Sequence, residues 1–193
     1  YIPFQALRTP GHTGRYLIED YEISYAPSAT LLVLAAQARP VKRDAALVMG
    51  YDGGQLAHVS AEIGAIAGAF SGLTLFSGEH ANRQHLQAFA SQAEVIHIAA
   101  HGDCRPDTPL FSFVALADGR WQVADVYHQR LNAALITLSA CQTGQGKLTG
   151  SDLIGFAHAL FYAGAQAALV SLWPVHDAST AAMMAIFYRE IQQ

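Results

Sequence analysis

Charged side chains are scarce in this chain of 193 residues, where they make up 13% of the sequence and leave a formal net charge of -4. A typical soluble domain is about 25% charged. With 11 Lys and Arg against 15 Asp and Glu, the chain lacks the basic face that general nucleic-acid binding requires. Its 52% hydrophobic content excludes a disordered chain. The low charge instead suggests that a partner covers part of an apolar surface.

Long apolar runs and cysteines are also few. The longest apolar candidates, such as residues 31–36, fall well short of the roughly 18 residues that span a bilayer, and no signal peptide opens the chain. The two cysteines, Cys104 and Cys141, cannot form the disulfide framework of a small secreted domain. We therefore expect a cytoplasmic chain without membrane contact, whose thiols are available for chemistry.

The apolar pattern predicts strands that alternate with helices of about a dozen residues. The predicted strands cover residues 16–18, 23–25, 45–49, 73–76, 94–100, 113–116, 133–140 and 167–172. The predicted helices cover residues 28–38, a segment opening at residue 60, and residues 82–91, 123–129, 152–163 and 178–191. Because the strands are apolar on both faces, we expect an α/β fold with a mostly parallel sheet covered by helices on each side.

Two of the predicted strands end in side chains suited to nucleophilic catalysis. His101 follows strand 94–100 and Cys141 follows strand 133–140, and active residues collect at the carboxyl ends of parallel strands. If these strands are neighbours, the imidazole can stabilise a thiolate and later protonate a leaving amine. The backbone N–H groups of Gly102 and Cys141 could then bind a developing oxyanion.

Plainer interpretations of the same residues stay open. Cysteine is among the residue types most often buried, so Cys141 and His101 could simply be packed in the core. Together with His97 and Cys104 they could also be imagined as a zinc site, but no metal-binding spacing supports one. We expect no metal, a hydrogen-bonded core imidazole at His97, and an incidental loop thiol at Cys104.

Several blocks of sequence resemble the CHAT family, a caspase-like group of clan CD cysteine peptidases. The blocks occur in family order, cover essentially the whole chain, and comprise residues 16–29, 96–102, 138–144, 171–177 and the pair Phe187-Tyr188. The resemblance implies a caspase-like three-layer α/β sandwich with a mostly parallel central sheet. It also implies His101 as general base and acid, Cys141 as nucleophile, and oxyanion donors at Gly102 and Cys141.

The block at residues 171–177 is also similar to one found in separases. There an acidic residue helps to receive a basic P1 side chain, and the matching position here is Asp177. By the same resemblance, Ser171 and Trp173 would lie along the cleft for a protein substrate. Asp177 is equally suited to capping the last helix. No metal or organic cofactor is implied.

CHAT domains usually accompany tetratricopeptide repeats or similar sensing modules in bacterial regulatory systems. Members usually carry a further strand before a segment that resembles residues 1–7. We therefore expect residues 1–193 to form a single peptidase domain without its first strand and upstream repeats, and with apolar surface near residues 1–7. The alternatives are a catalytically inactive interaction module in a repeat-containing scaffold, or a non-proteolytic cysteine hydrolase. The oligomeric state stays open.

Overall fold

A computed structural model describes residues 2–9, 14–37, 44–53, 59–105, 107–141, 150–171 and 175–191 of the chain. The strands are Ala45–Tyr51 (β1), Gly72–Ser77 (β2), Val95–Asp103 (β3), Phe113–Leu116 (β4), Gly119–Gln122 (β5), Leu135–Cys141 (β6) and Ala168–Val170 (β7). The α-helices are Ala29–Gln37 (α1), Val59–Ala67 (α2), Arg83–Phe89 (α3), Val123–Val126 (α4), Gly150–Tyr162 (α5) and Asp177–Glu190 (α6).

The sheet is mostly parallel, as the apolar strands predicted. β1 pairs with β2 on one side and β3 on the other, and β6 lies between β3 and β7, with every one of these pairs parallel. The spatial order is therefore β2-β1-β3-β6-β7. The antiparallel hairpin of β4 and β5 extends the end of β3, where Gly102 is opposite Val114. The carboxyl ends of the two central strands, β3 and β6, consequently meet beside this hairpin.

Helices cover both faces of the sheet and form two separate cores. On one face, Ile96 and Ile98 of β3 belong to a cluster that also contains Trp121 and residues of α3, α4 and α5. On the other face, Val95 and Ala99 belong to a cluster with residues of α2 and α6. Alternate residues of β3 thus enter different cores, which explains why the strand carries apolar residues on both of its faces. The three-layer α/β sandwich is confirmed.

Two predicted strands near the amino end are wrong. Residues 17–19 form a short 3₁₀ helix, and residues 23–25 have no regular structure. The backbone N–H of Tyr16 donates to the Glu19 carboxylate at 2.7 Å, and the N–H of Glu19 donates to the Tyr16 carbonyl at 3.0 Å. This local capping closes a turn, and only an isolated bridge between Arg8 and Tyr16 pairs the segment with other backbone in the described chain. A strand pattern without a partner strand does not form a strand.

Apolar surface is exposed at the amino end, as the low charge and the family pattern predicted. Ile2, Phe4 and Leu7 are exposed, and so are Leu32 and Val33 on α1. We call residues 2–9 and 14–37 the amino-terminal segment. In the described part of the chain, none of the helices has the length and apolarity that crossing a bilayer requires.

Candidate active site

Strand pairing brings the backbone of the two predicted catalytic positions together. β3 and β6 run parallel in a continuous register, in which His97 is opposite Thr137 and His101 is opposite Cys141. Neighbouring strands lie about 4.8 Å apart, so the two positions are adjacent at the carboxyl edge of the sheet. The His101 side chain is half-buried, and the Cys141 side chain lies outside the described residues.

Gly102 is required by close packing as well as by any role in catalysis. A Cβ atom at this position would lie 3.0 Å from the Cβ of Ala140 and 3.5 Å from the carbonyl oxygen of Phe113. The first distance is shorter than an ordinary van der Waals contact, so a side chain would push β6 away from β3. The absence of a side chain lets the strand that follows His101 lie tightly against both β6 and the hairpin.

A small pocket opens beside these strand ends. Its volume is about 40 Å³, and its walls include Gly102, Cys104, Ala140, Phe156 and Ser171. A water molecule needs roughly 10–15 Å³ by this kind of measure, so the space between the described walls can hold a small group. Ser171, which directly follows β7, is half-buried and forms part of the wall of this pocket.

The remaining predicted substrate-binding residues are described in part. Trp173 lies outside the described residues, as does the side chain of Asp177. The backbone places Asp177 as the first residue of α6, whereas His176 occupies the N-cap position and its carbonyl accepts from the N–H of Thr180 at 3.0 Å. Asp177 is therefore the first helical residue rather than the N-cap residue, which is the position from which a side chain usually caps a helix.

Four buried side chains form a polar cluster on the α2 and α6 side of the sheet. Nδ1 of His97 lies 3.1 Å from the hydroxyl of Tyr188, which donates to the hydroxyl of Thr137 at 2.7 Å. Nε2 of His97 lies 3.2 Å from a carboxylate oxygen of Glu62. These four residues, each at most 3% exposed, are the buried polar cluster. The predicted core imidazole at His97 is confirmed, and both of its ring nitrogens face protein groups rather than a metal position.

Glu62 was not predicted as a site residue, although its position in the sequence carries a signal. Val59, Glu62, Ile63 and Ile66 share the buried face of α2, so a carboxylate occurs within a helical apolar stripe. A charge in such a position needs a partner inside the protein. Tyr188 belongs to a family block, but its contact with His97 could not be predicted because the two residues are distant in sequence.

Burial raises the pKa of Tyr188; the hydrogen bond to Thr137 opposes the shift and the nearby Glu62 carboxylate adds to it. The unfolded chain releases this proton above pH of about 10, whereas the folded protein retains it. Stability supplied by Tyr188 is therefore complete below pH 10 and is lost as the pH rises further. Above about pH 10, we expect the free energy of unfolding of the native protein to fall with pH by up to about 1.4 kcal/mol per pH unit more than that of Tyr188→Phe. Urea unfolding from pH 8 to 11 measures this difference, and an equal pH dependence of the two proteins would contradict it.

Comparison with known proteins identifies chains that are similar to this one. The family model described as CHAT domain matches residues 1–193. Tetratricopeptide repeat protein 28 of Mus musculus is 37% identical over 68 residues, which cover 35% of this chain and 3% of that protein. The Homo sapiens protein of that name is 32% identical over 93 residues, which cover 48% of this chain and 4% of that protein. The chain thus matches only a few per cent of the length of these relatives.

Among solved structures, a Streptococcus pneumonia TIGR4 flavodoxin aligns with a TM-score of 0.47 and 9% identity, over 76% of this chain and 97% of that chain. The family match, in contrast, extends over every residue and includes the segments that carry His101 and Cys141. The chain therefore belongs to the CHAT domain family.

Proposed function

We propose that the chain is a cysteine endopeptidase with His101 and Cys141 as its catalytic dyad. The observation that carries the proposal is the register of β3 and β6, in which these two residues are directly opposite at the carboxyl edge of the sheet. Catalytic groups need a rigid support that holds them within a fraction of an ångström. Two central strands, each paired on both sides, supply such a support.

In the proposed reaction, the Cys141 thiolate attacks the carbonyl carbon of the scissile peptide bond, and His101 holds the thiol proton. The carbonyl electron pair moves to oxygen, where backbone N–H groups of Gly102 and Cys141 stabilise the negative charge. Collapse of this intermediate breaks the C–N bond, and His101 transfers its proton to the leaving amine. Water then attacks the thioester with His101 as base, which releases the acid and restores the thiol.

The proposed substrate is a protein with a basic P1 residue. Asp177 would receive that side chain, and Ser171 and Trp173 would line the cleft beside it. The start of α6, where Asp177 is the first helical residue, would then lie next to the basic side chain. Membership of a caspase-like family supports peptide hydrolysis over other cysteine chemistry.

The biological setting of the proposal is a regulated bacterial protease in the cytoplasm. The named relatives are tetratricopeptide repeat proteins, which supports association of this domain with such repeats. An adjacent sensing module would control access of the protein substrate to the dyad. No cofactor and no nucleic acid takes part in the proposed reaction.

A second candidate function is that of a catalytically inactive interaction module. The exposed apolar side chains of the amino-terminal segment, including Ile18 and Tyr21, favour protein contacts. Such side chains are typical of surfaces that bind another protein. This function would need the fold but not the reactivity of Cys141.

Alkylation with iodoacetamide at pH 5.5 tests the dyad. An ordinary thiol is about one part in a thousand ionised at this pH, whereas a thiolate paired with an imidazolium stays reactive. We expect Cys141 to react at least about a hundredfold faster than Cys104, as measured by peptide mapping with mass spectrometry.

The same protein contains its own reference thiol, since Cys104 is only half-buried. His101→Ala should bring the rate at Cys141 down to that of an ordinary thiol. Equal, slow reaction of both cysteines in the native protein would reject the peptidase and favour the interaction module. Fast reaction without cleavage of any peptide in a library would favour a non-proteolytic hydrolase.

A further inference from the structure

The buried polar cluster joins four elements around the proposed site. Glu62 belongs to α2, His97 to β3, Thr137 to β6 and Tyr188 to α6. His97 and Thr137 are opposite each other, in the same register that pairs His101 with Cys141 four positions further along. The cluster therefore connects the helices of one layer to the two strands of the dyad, at a point below the strand ends.

The polar groups of the cluster form a continuous series of short contacts. The Tyr188 hydroxyl donates to the hydroxyl of Thr137 at 2.7 Å and lies 3.1 Å from Nδ1 of His97. Nε2 of His97 lies 3.2 Å from a carboxylate oxygen of Glu62, a contact that is attractive when a proton lies between the two atoms. The series therefore extends from β6 through α6 and β3 to α2.

Hydrogen bonds in such a series restrict the position of a helix more sharply than apolar packing does. Helices that touch only through apolar side chains can slide past one another by small shear movements. A hydrogen bond instead weakens steeply with changes in distance and angle. On α6, Met184 and Phe187 make apolar contacts, whereas Tyr188 makes the directional ones. Tyr188 thus adds directional contacts to the apolar packing of the helix.

We infer that the buried polar cluster positions the substrate-binding end of α6 relative to the dyad. Asp177 and Tyr188 are both on α6, about 16 Å apart along the helix axis at 1.5 Å per residue. A rigid helix transmits a displacement at one end to the other. Glu62, His97 and Tyr188 are accordingly positioning residues for recognition of the P1 side chain. The inference rests on the proposed peptidase function and extends it to substrate selection.

Two probes of Cys141 separate the dyad from the recognition site. Iodoacetamide forms a C–S bond with release of iodide and the thiol proton, and it requires only the dyad. The aldehyde acetyl-Leu-Leu-argininal gains a C–S bond while the thiol proton passes to its oxygen, and it also places a guanidinium near Asp177. In Tyr188→Phe we expect the inhibition constant of the argininal to rise about three- to tenfold through misplacement of α6. The rate with iodoacetamide should stay unchanged.

Matched variants show whether the rise in the inhibition constant of the argininal depends on the hydrogen bonds of the cluster. Glu62→Leu should weaken the argininal as Tyr188→Phe does, whereas Glu62→Gln should not, because an amide N–H can donate to Nε2 of His97. Met184→Leu, an apolar exchange at another buried position of α6, should leave both probes unchanged. Thr137→Val removes the acceptor while keeping the shape, and it supplies the measurement if Tyr188→Phe does not fold.

The outcomes are distinguishable. Variants that affect neither probe, or both probes equally, would overturn the positioning role while leaving the dyad intact. A native protein that binds the argininal no better than acetyl-Leu-Leu-norleucinal would also overturn it, because no basic recognition would exist to be positioned. Failure of the proposed function is recognised earlier, by slow reaction of the native protein with iodoacetamide, and the inference fails with it.

Discussion

Replacing Cys141 with alanine is expected to lower the rate of peptide cleavage by a factor on the order of 10⁴ to 10⁶, the range for removal of a catalytic nucleophile. The expected loss is this large because the remaining groups can bind the peptide and stabilise charge but cannot form the acyl-enzyme. His101→Ala should cause a loss of similar size, since the two residues act as a unit. Cleavage of a fluorogenic peptide library with basic P1 residues measures both losses.

The fold should survive both substitutions. The strand pairing at this position uses backbone groups, which alanine retains, so circular dichroism and the unfolding midpoint should change little. Cys104→Ala serves as a matched control, because it removes the other thiol without touching the dyad. Full activity of the Cys141→Ala protein would exclude the proposed mechanism.

His97→Leu is expected to destabilise the folded protein by about 3–5 kcal/mol, the range for breaking a buried ion pair. The leucine leaves the Glu62 carboxyl group buried opposite an apolar side chain. Glu62→Leu should cost less, about 1–3 kcal/mol, because a neutral imidazole remains and can still donate to Tyr188. Urea denaturation of the two variants and the native protein measures the difference.

The double variant provides the decisive comparison. With both polar groups replaced, no buried charge is left without a partner, so the double variant should be more stable than His97→Leu alone. Arg189→Gln, in an exposed ion pair on α6, is the control and should change stability by no more than about 0.5 kcal/mol. Strictly additive losses would show that Glu62 and His97 do not interact.

The strands that hold the dyad could be predicted because each enters two cores. Segments 94–100 and 133–140 are apolar at most positions that face a helix layer, and β3 and β6 occupy them with boundaries shifted by one to three residues. That these two strands are neighbours could not be predicted from their own patterns. Strand order depends on how the helices pack between strands, which local patterns do not encode.

Elements at the periphery were predicted less well. β5 was missed because Gly119, Arg120 and Gln122 lack a strand pattern, although Trp121 is fully buried. The strand is held by its partner β4 rather than by its own propensity. For the same reason, the buried polar cluster could be predicted only at His97. Its partners come from segments that tertiary packing alone brings near.

The central position of β3 also determines when the proposed protease can first act. Its neighbours are β1, from an earlier part of the chain, and β6, from a later one. During synthesis, residues emerge in order, so β1 and β3 can associate while the nucleophile has not yet been made. Long-range pairings of this kind also form slowly. A nascent chain that has not yet reached β6 therefore carries the proposed general base without the proposed nucleophile.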